Sequence, residues 1–320
     1  MNQPGFFDLQ NRITKLTKMG DPLVQLSEQI NWEEFRSDLA IIHEKDRKSN
    51  AGAKPFDVIL MFKILVLQQL NNLSDDRIEY QIRDRISFMR FLGLGFEDRV
   101  PDSKTVWLFR ELLKEFELIE VLFARFHQQL ARRGYVAKAG QMIDATFVEV
   151  PRQRNSREEN LQVKAGETPS EWTKEENKNM LRQKDVDASL HDSQVFEELL
   201  DHEIDKKTGK KRAVSADSAY RSEEKEAMLV AVNIESRISE KGSRNHPLTA
   251  EQKASNTEKS RVRSRVEHIF GAQAHMGSHF VRTIGILRAE VKIGMMNLVY
   301  NMIRLGQLIK RDGIAASAVT

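Results

Sequence analysis

Three acidic residues stand where simple packing would not put an acid. Asp144 lies inside QMIDATFVEV (141–150), a run rich in apolar, β-branched and aromatic residues. Asp217 closes the short run RAVSAD (212–217), and Glu267 falls between Val266 and Ile269 on an apolar helical stripe. A carboxylate removed from water is costly unless it is paired or holds a cation. Three that converge suit Mg²⁺ or Mn²⁺, hard ions that prefer oxygen ligands. With no Cys and only 8 scattered His, zinc is disfavoured. Two hard ions about 3.5–4 Å apart form the clamp used for in-line attack on phosphodiesters. Each acid also has a plainer reading. Asp217 alone is a turn or cap residue, and Glu267 alone pairs with Arg263 one turn earlier.

The elements that must position these acids differ along the chain. Gln141 to Val150 reads as a central strand ending at Pro151, and Arg212 to Asp217 as a second short strand. Ala219 to Val230 reads as a helix, Asn233 to Ile238 as a third strand, and 240–255 as loop. A last helical region carries Val262, Val266, Ile269 and Phe270. After a glycine-containing break, Ile284, Leu287, Val291, Leu298, Met302, Leu305 and Ile309 continue at helical spacing.

Before Tyr135 the texture is helical. Phe56 to Leu70 has 11 apolar residues in 15, which predicts a helix buried on nearly all sides with Pro55 in its first turn. Ser74 is a good N-cap for a helix bearing Ile78, Ile82, Ile86 and Met89, with Asp75 and Asp76 in its first turn and a stop near Gly93. Asp102 or Ser103 caps the next helix, and another ends at Gly134. Arg77, Arg83, Arg85 and Arg90 on outer faces fit a helical DNA-binding module, and an all-helical packing or dimerisation domain fits as well.

The expected division is an N-terminal segment (1–48), a helical domain (49–134), a catalytic domain (135–310) with a polar insertion (152–188), and a tail (311–320). The chain has 320 residues, 50 Lys plus Arg against 47 Asp plus Glu, and a net charge of +3. Absence of cysteine excludes a disulfide scaffold and a Cys nucleophile. The N-terminus has no unbroken apolar run, so no secretory signal is expected. The longest apolar run, Phe56 to Leu67, is interrupted by Asp57 and Lys63 and is too short for a bilayer, which needs about 20 residues. A cytoplasmic protein is expected.

The acids occur in the order strand, strand, helix, and here the chain resembles a bacterial insertion-sequence transposase of the DDE class, in the group named after insertion sequence five. The matching segments are FDVILMFKILVLQQLNNLSDDRIEYQIRDRISFMRFLGL, PDSKTVWLFRELL, QMIDATFVEVPRQRNSREEN, HDSQVFEELLD, VSADSAYRSEE, EKGSRNHPL and SRVRSRVEHIFGAQ. The resemblance implies an α+β or α/β protein, with a helical N-terminal domain followed by a ribonuclease-H-like catalytic domain. It places Asp144, Asp217 and Glu267 at the metal-ligand positions for two Mg²⁺ or Mn²⁺ ions. Asp144 would bridge both ions, Asp217 and Glu267 would hold one each, and Arg263 would neutralise phosphate. Arg263 matches the arginine of the family's Tyr-Arg-Glu-Lys signature; the tyrosine position is Ser260 here and the lysine position is Ala274. Implied partners are double-stranded DNA (the element's terminal inverted repeats and the target) and a second copy of the chain, in a nucleoid-associated setting without membrane.

One departure affects activity. A ribonuclease-H-like sheet needs three consecutive antiparallel strands first. After the strand holding Asp144, only RQRNSREENLQVKAGETPSEWTKEENKNMLRQKDVDA precedes SLHDSQVF. The expectation is that strands two and three have been lost by internal deletion. With the usual order 3-2-1-4-5, the first strand then becomes an unpaired edge, an association hazard. Weak or no catalysis is expected. The competing reading is a catalytically dead DNA-binding remnant that inhibits intact transposase; a phosphatase or nuclease unrelated to transposition is a third.

The near-neutral net charge conceals a basic row. Lys259, Arg261, Arg263 and Arg265 put four cations in seven residues immediately before Glu267. Release of counter-ions makes such a row a candidate phosphate contact, although a solvated helix face is the commoner role for such runs. The cluster Lys206 to Arg212 reads as a charged loop, and His191 and Asp192 as helix caps.

Overall fold

The structure is a computed structural model, and it describes residues 8–44, 54–135, 141–142, 196, 200, 213–242, 247–283 and 285–317. The chain forms two compact units. Unit 1 comprises Met1–Tyr135, Gln273–Ser278 and Leu287–Thr320; unit 2 comprises Val136–Ala272 and His279–Ile286. Unit 1 thus takes in residues from the expected N-terminal segment and from the far end of the expected catalytic segment.

Unit 1 is helical. Its helices are α1 (Asp8–Lys18), α2 (Pro22–Gln29), α3 (Arg36–Leu39), α4 (Val58–Leu70), α5 (Asp75–Asp84), α6 (Ile86–Leu92), α7 (Ser103–Glu115) and α8 (Leu118–Arg132), joined by most of α11 (Ile286–Ser317). Local chemistry sets most of the ends. Asp57 caps α4, its Oδ1 accepting from Ile59 N at 2.9 Å and Leu60 N at 3.1 Å. Asp57 therefore starts this helix, and Pro55 lies outside the first turn. Ser74 caps α5 and Asp102 caps α7, each accepting from the backbone N–H three residues on. Gly93 ends α6 at φ +74°, a left-handed conformation that glycine adopts without steric cost.

The single helix expected from Asp75 to Gly93 is two. Arg85 takes φ −104° and ψ 114°, and α6 restarts after it. The break turns Phe88, Phe91 and Leu92 into the same core as Ile78 and Ile82.

That core forms around α4, with Phe35, Phe62, Ile64 and Leu67 fully buried. Trp32 packs edge-on against Phe62 and Phe91, with ring centroids 5.9 and 5.5 Å apart. Leu298, Val299, Met302 and Leu305 of α11 complete it. A Cβ on Gly294 would collide with Ile119, so the glycine permits close approach of α11 to α8. Two buried glutamines are matched by backbone groups. Gln69 donates to Met276 O at 3.0 Å, and Gln129 exchanges hydrogen bonds with the backbone of Asn31 at 3.1 and 2.8 Å.

Unit 2 holds a parallel sheet of three described strands in the order β1-β2-β3: β1 (Gln141–Met142), β2 (Ala213–Ser215) and β3 (Glu235–Ser236). Gln141 pairs with Val214 and Met142 with Ser215; Ala213 pairs with Glu235 and Val214 with Ser236. Helix α9 (Glu223–Ala231) connects β2 to β3 with Ser222 as its cap. The core of this unit joins Phe196, Leu200, Val214, Tyr220, Leu229 and Ile238.

The long helix α10 (Ala250–His275) starts earlier than the loop expected over 240–255 allows. Thr249 and Gln252 explain the difference. Thr249 Oγ1 accepts from Gln252 N at 3.2 Å, and Gln252 Oε1 accepts from Thr249 N at 3.0 Å. This is a capping box, legible as T-x-x-Q. No helix among the described residues is long and apolar enough to cross a membrane.

Candidate functional site

Asp217 stands at the end of the β2–β3 pairing. Ser239 N donates to Ala216 O at 3.2 Å, which is the last backbone bond before the acid. Asp217 then caps the single turn Ser218–Tyr220, with Oδ1 accepting from Ala219 N at 2.8 Å. Its strand is shorter than expected, ending at Ser215. The carboxylate is half-buried, and among the described residues Oδ2 makes no hydrogen bond. The cap role and a ligand role are compatible, since they use different oxygens.

Glu267 lies on α10 and is exposed beside the buried Val266. Asp144 lies outside the described residues, as do the rest of its expected strand, the insertion 152–188 and the caps His191 and Asp192. Among the described residues no group of three or more His, Asp or Glu is placed to hold a metal. The three carboxylates expected from the sequence are of the hard-oxygen kind that Mg²⁺ and Mn²⁺ take.

The basic row divides. Arg261 is exposed on α10. Arg263 and Arg265 belong to the same helix, and their side chains lie outside the described set. Lys259 is turned to an internal task. Its side chain is 17% exposed, and Nζ donates to Ile238 O at 2.9 Å while pairing with Glu240 at 3.4 Å.

Glu240 is the centre of a latch that sequence reasoning missed. Arg221 Nη1 meets its carboxylate at 2.9 Å and also donates to Ile238 O at 3.2 Å. Asn256 clamps the Glu240 backbone from α10, accepting from its N–H at 2.7 Å and donating to its C=O at 3.1 Å. Together these ties hold the segment after β3 to the turn following Asp217 on one side and to α10 on the other. Lys259 precedes Glu267 by eight residues, about 12 Å along a helix. No local pattern announces the latch; a Lys within a basic run looks like a surface charge until its partners are known.

The electrostatics of unit 1 are also pairwise. Burial would raise the Asp75 carboxyl, but hydrogen bonds from Arg110 and Gln68 bring it below the usual carboxylate range. The Arg288 guanidinium, bidentate on Glu111 at 2.8 and 2.9 Å, is the main cause lowering that carboxyl to about 2.

Two families of known proteins match successive parts of the chain. Residues 11–112 match a family described as the transposase domain (DUF772), and residues 137–302 match the transposase DDE domain, more than half of the chain. No solved structure matches it. The chain belongs to the DDE transposases. With both domains present it is the DNA transposase of an insertion sequence, DNA is its substrate, and its family generally works with divalent metal ions.

Proposed function

We propose that this chain is a transposase of the insertion sequence five group whose ribonuclease-H-like catalytic domain lacks the second and third strands through internal deletion. In the intact reaction, Asp144, Asp217 and Glu267 would hold two Mg²⁺ or Mn²⁺ ions, which would supply Lewis-acid activation for water at the element's ends. The freed 3′-hydroxyl then attacks target DNA. Arg261, Arg263 and Arg265 meet phosphate beside Glu267, and two copies act together on the nucleoid. Cleavage by this copy is weak or absent.

The observation that carries this reading is the register of the sheet. Met142 pairs with Ser215, and the two acids each follow by two positions, Asp144 after Met142 and Asp217 after Ser215. Parallel strands continued in that register would bring the acids level. Among the described strands β1 is at the edge of the sheet, and Met142 is 37% exposed.

The test is to incubate the purified chain with duplexes carrying the terminal inverted repeats in Mg²⁺ or Mn²⁺, beside Asp144→Asn. DNA binding with little cleavage in both proteins supports the reading. Efficient cleavage that vanishes in Asp144→Asn refutes the deletion and keeps the metal site. Efficient cleavage unchanged in Asp144→Asn refutes the ligand assignment. The alternative, an inhibitory remnant, rests on the completeness of the helical core in unit 1. It predicts that adding this chain suppresses transposition by an intact relative.

A further inference from the structure

We propose that helix α1 is a second contact to the DNA backbone, distinct from the basic row on α10. The proposal rests on DNA being the substrate and adds a site on the helical unit. Arg12, Lys15 and Lys18 are exposed. At 100° per residue they share one arc of about 120°, and they span about 9 Å of the axis. That length faces two to three phosphates of one strand at about 3.4 Å each.

Two observations bear on this helix, although Arg77, Arg85 and Arg133 of the same unit likewise close on no carboxylate among the described side chains. The first concerns pairing. Arg36, Arg110, Arg125, Arg132 and Arg288 of the same unit each close on a carboxylate. Among the described side chains, none of the three α1 cations does. The sequence of α1 carries three cations against a single acid, Asp8 in its first turn. The helix dipole favours Lys15 and Lys18 in the last turn, but it does nothing for Arg12.

The second concerns seating. Ile13 and Leu16, outside the arc of the cations, are half-buried. Thr17 Oγ1 accepts from Arg90 Nη1 of α6 at 2.6 Å. Gly20 at φ +82° then turns the chain into Asp21, which caps α2 by accepting from Leu23 N at 3.0 Å. The cations are therefore presented on a helix tied down at its C-terminal end, which reduces the ordering cost of binding.

A basic amphipathic helix can also lie on an anionic membrane, but that mode needs a large free apolar face, commonly with aromatic residues. Here the described apolar residues are only Ile13 and Leu16, both half-buried, and the helix has no aromatic residue. Polyanionic DNA is the partner the chemistry fits.

The experiment measures affinity of the full chain for a short duplex of arbitrary sequence across a range of salt, because backbone contacts do not depend on sequence. Neutralising all three cations (R12Q, K15Q and K18Q together) should flatten the slope of log K against log salt by about 2.7, or about 0.9 for each phosphate that is no longer neutralised. The charge-conserving set R12K, K15R and K18R should keep the wild-type slope, which separates a missing charge from a damaged helix. A neutralised chain with the wild-type slope overturns the α1 contact. A loss confined to phosphatidylserine vesicles, with DNA binding intact, also overturns it in favour of a membrane surface. A wild-type chain without salt-dependent DNA binding overturns the underlying DNA reading itself.

Discussion

Unit 1 buries Phe35, Phe62 and Phe126 completely, ringed by Leu, Ile and Met from helices at both ends of the chain. Unit 2, among the described residues, gathers a smaller core around Phe196, Tyr220 and Leu229, and much of its order comes from charged ties to Glu240. The difference teaches where each unit is vulnerable. Apolar burial is non-directional and tolerates imprecise partners, whereas a latch of half-buried polar groups depends on every member being present. A transposase that lost part of its sheet would be damaged in the second kind of unit first.

The largest expected effect lies in the first unit. Phe62→Ala should cost about 3–5 kcal/mol, because the ring is fully buried against Trp32 and Phe35 and leaves a cavity. Hydrogen exchange read peptide by peptide should show the loss in α4 and α6. A cost under about 1 kcal/mol would mean that this core is not packed as described.

A middle-sized effect probes the latch. Asn256→Ala strands the half-buried N–H and C=O of Glu240 and should cost about 1–3 kcal/mol, with faster exchange across 235–240. Equal exchange in variant and wild type would show that unit 2 does not depend on it.

The smallest concerns Glu111, whose carboxyl is held near 2 by Arg288 and Lys114. A lowered acid contributes stability that is full above its ordinary value of 4.5 and is lost as pH falls from there towards 2. With Arg288 40% exposed, solvent screening reduces the contribution to about 1 kcal/mol. Denaturant midpoints at pH 7 should be lower in Glu111→Gln than in wild type, and the gap should close by pH 2–3. A gap that persists at low pH would assign the effect to packing instead of charge.

How much was legible follows from how local each signal is. Ser74, Asp102, Gly93 and Gly134 act on neighbours within a few residues, and their helix ends could be read directly. Asp57 and the Thr249–Gln252 box are equally local, yet Pro55 and a loop are the readings that the sequence suggests first. The break at Arg85 has no Gly or Pro to mark it; tertiary packing of Phe88 and Phe91 imposes it. The return of α11 to the helical core is equally non-local, since periodicity reveals an apolar face without naming what covers it. For the site, Asp217 was legible as cap and candidate ligand alike, because both follow from an acid at a strand end. The burial of Lys259 was hidden by the run of cations around it.

The most direct measurement uses one end-labelled duplex bearing the terminal repeats, titrated with the wild-type chain in Mg²⁺ and then in Mn²⁺. Bound and cleaved fractions are recorded in the same samples. The account predicts salt-sensitive binding with cleavage weak or absent. Cleavage proportional to the bound fraction, and lost in Asp144→Asn, would contradict it by showing that the catalytic unit is whole.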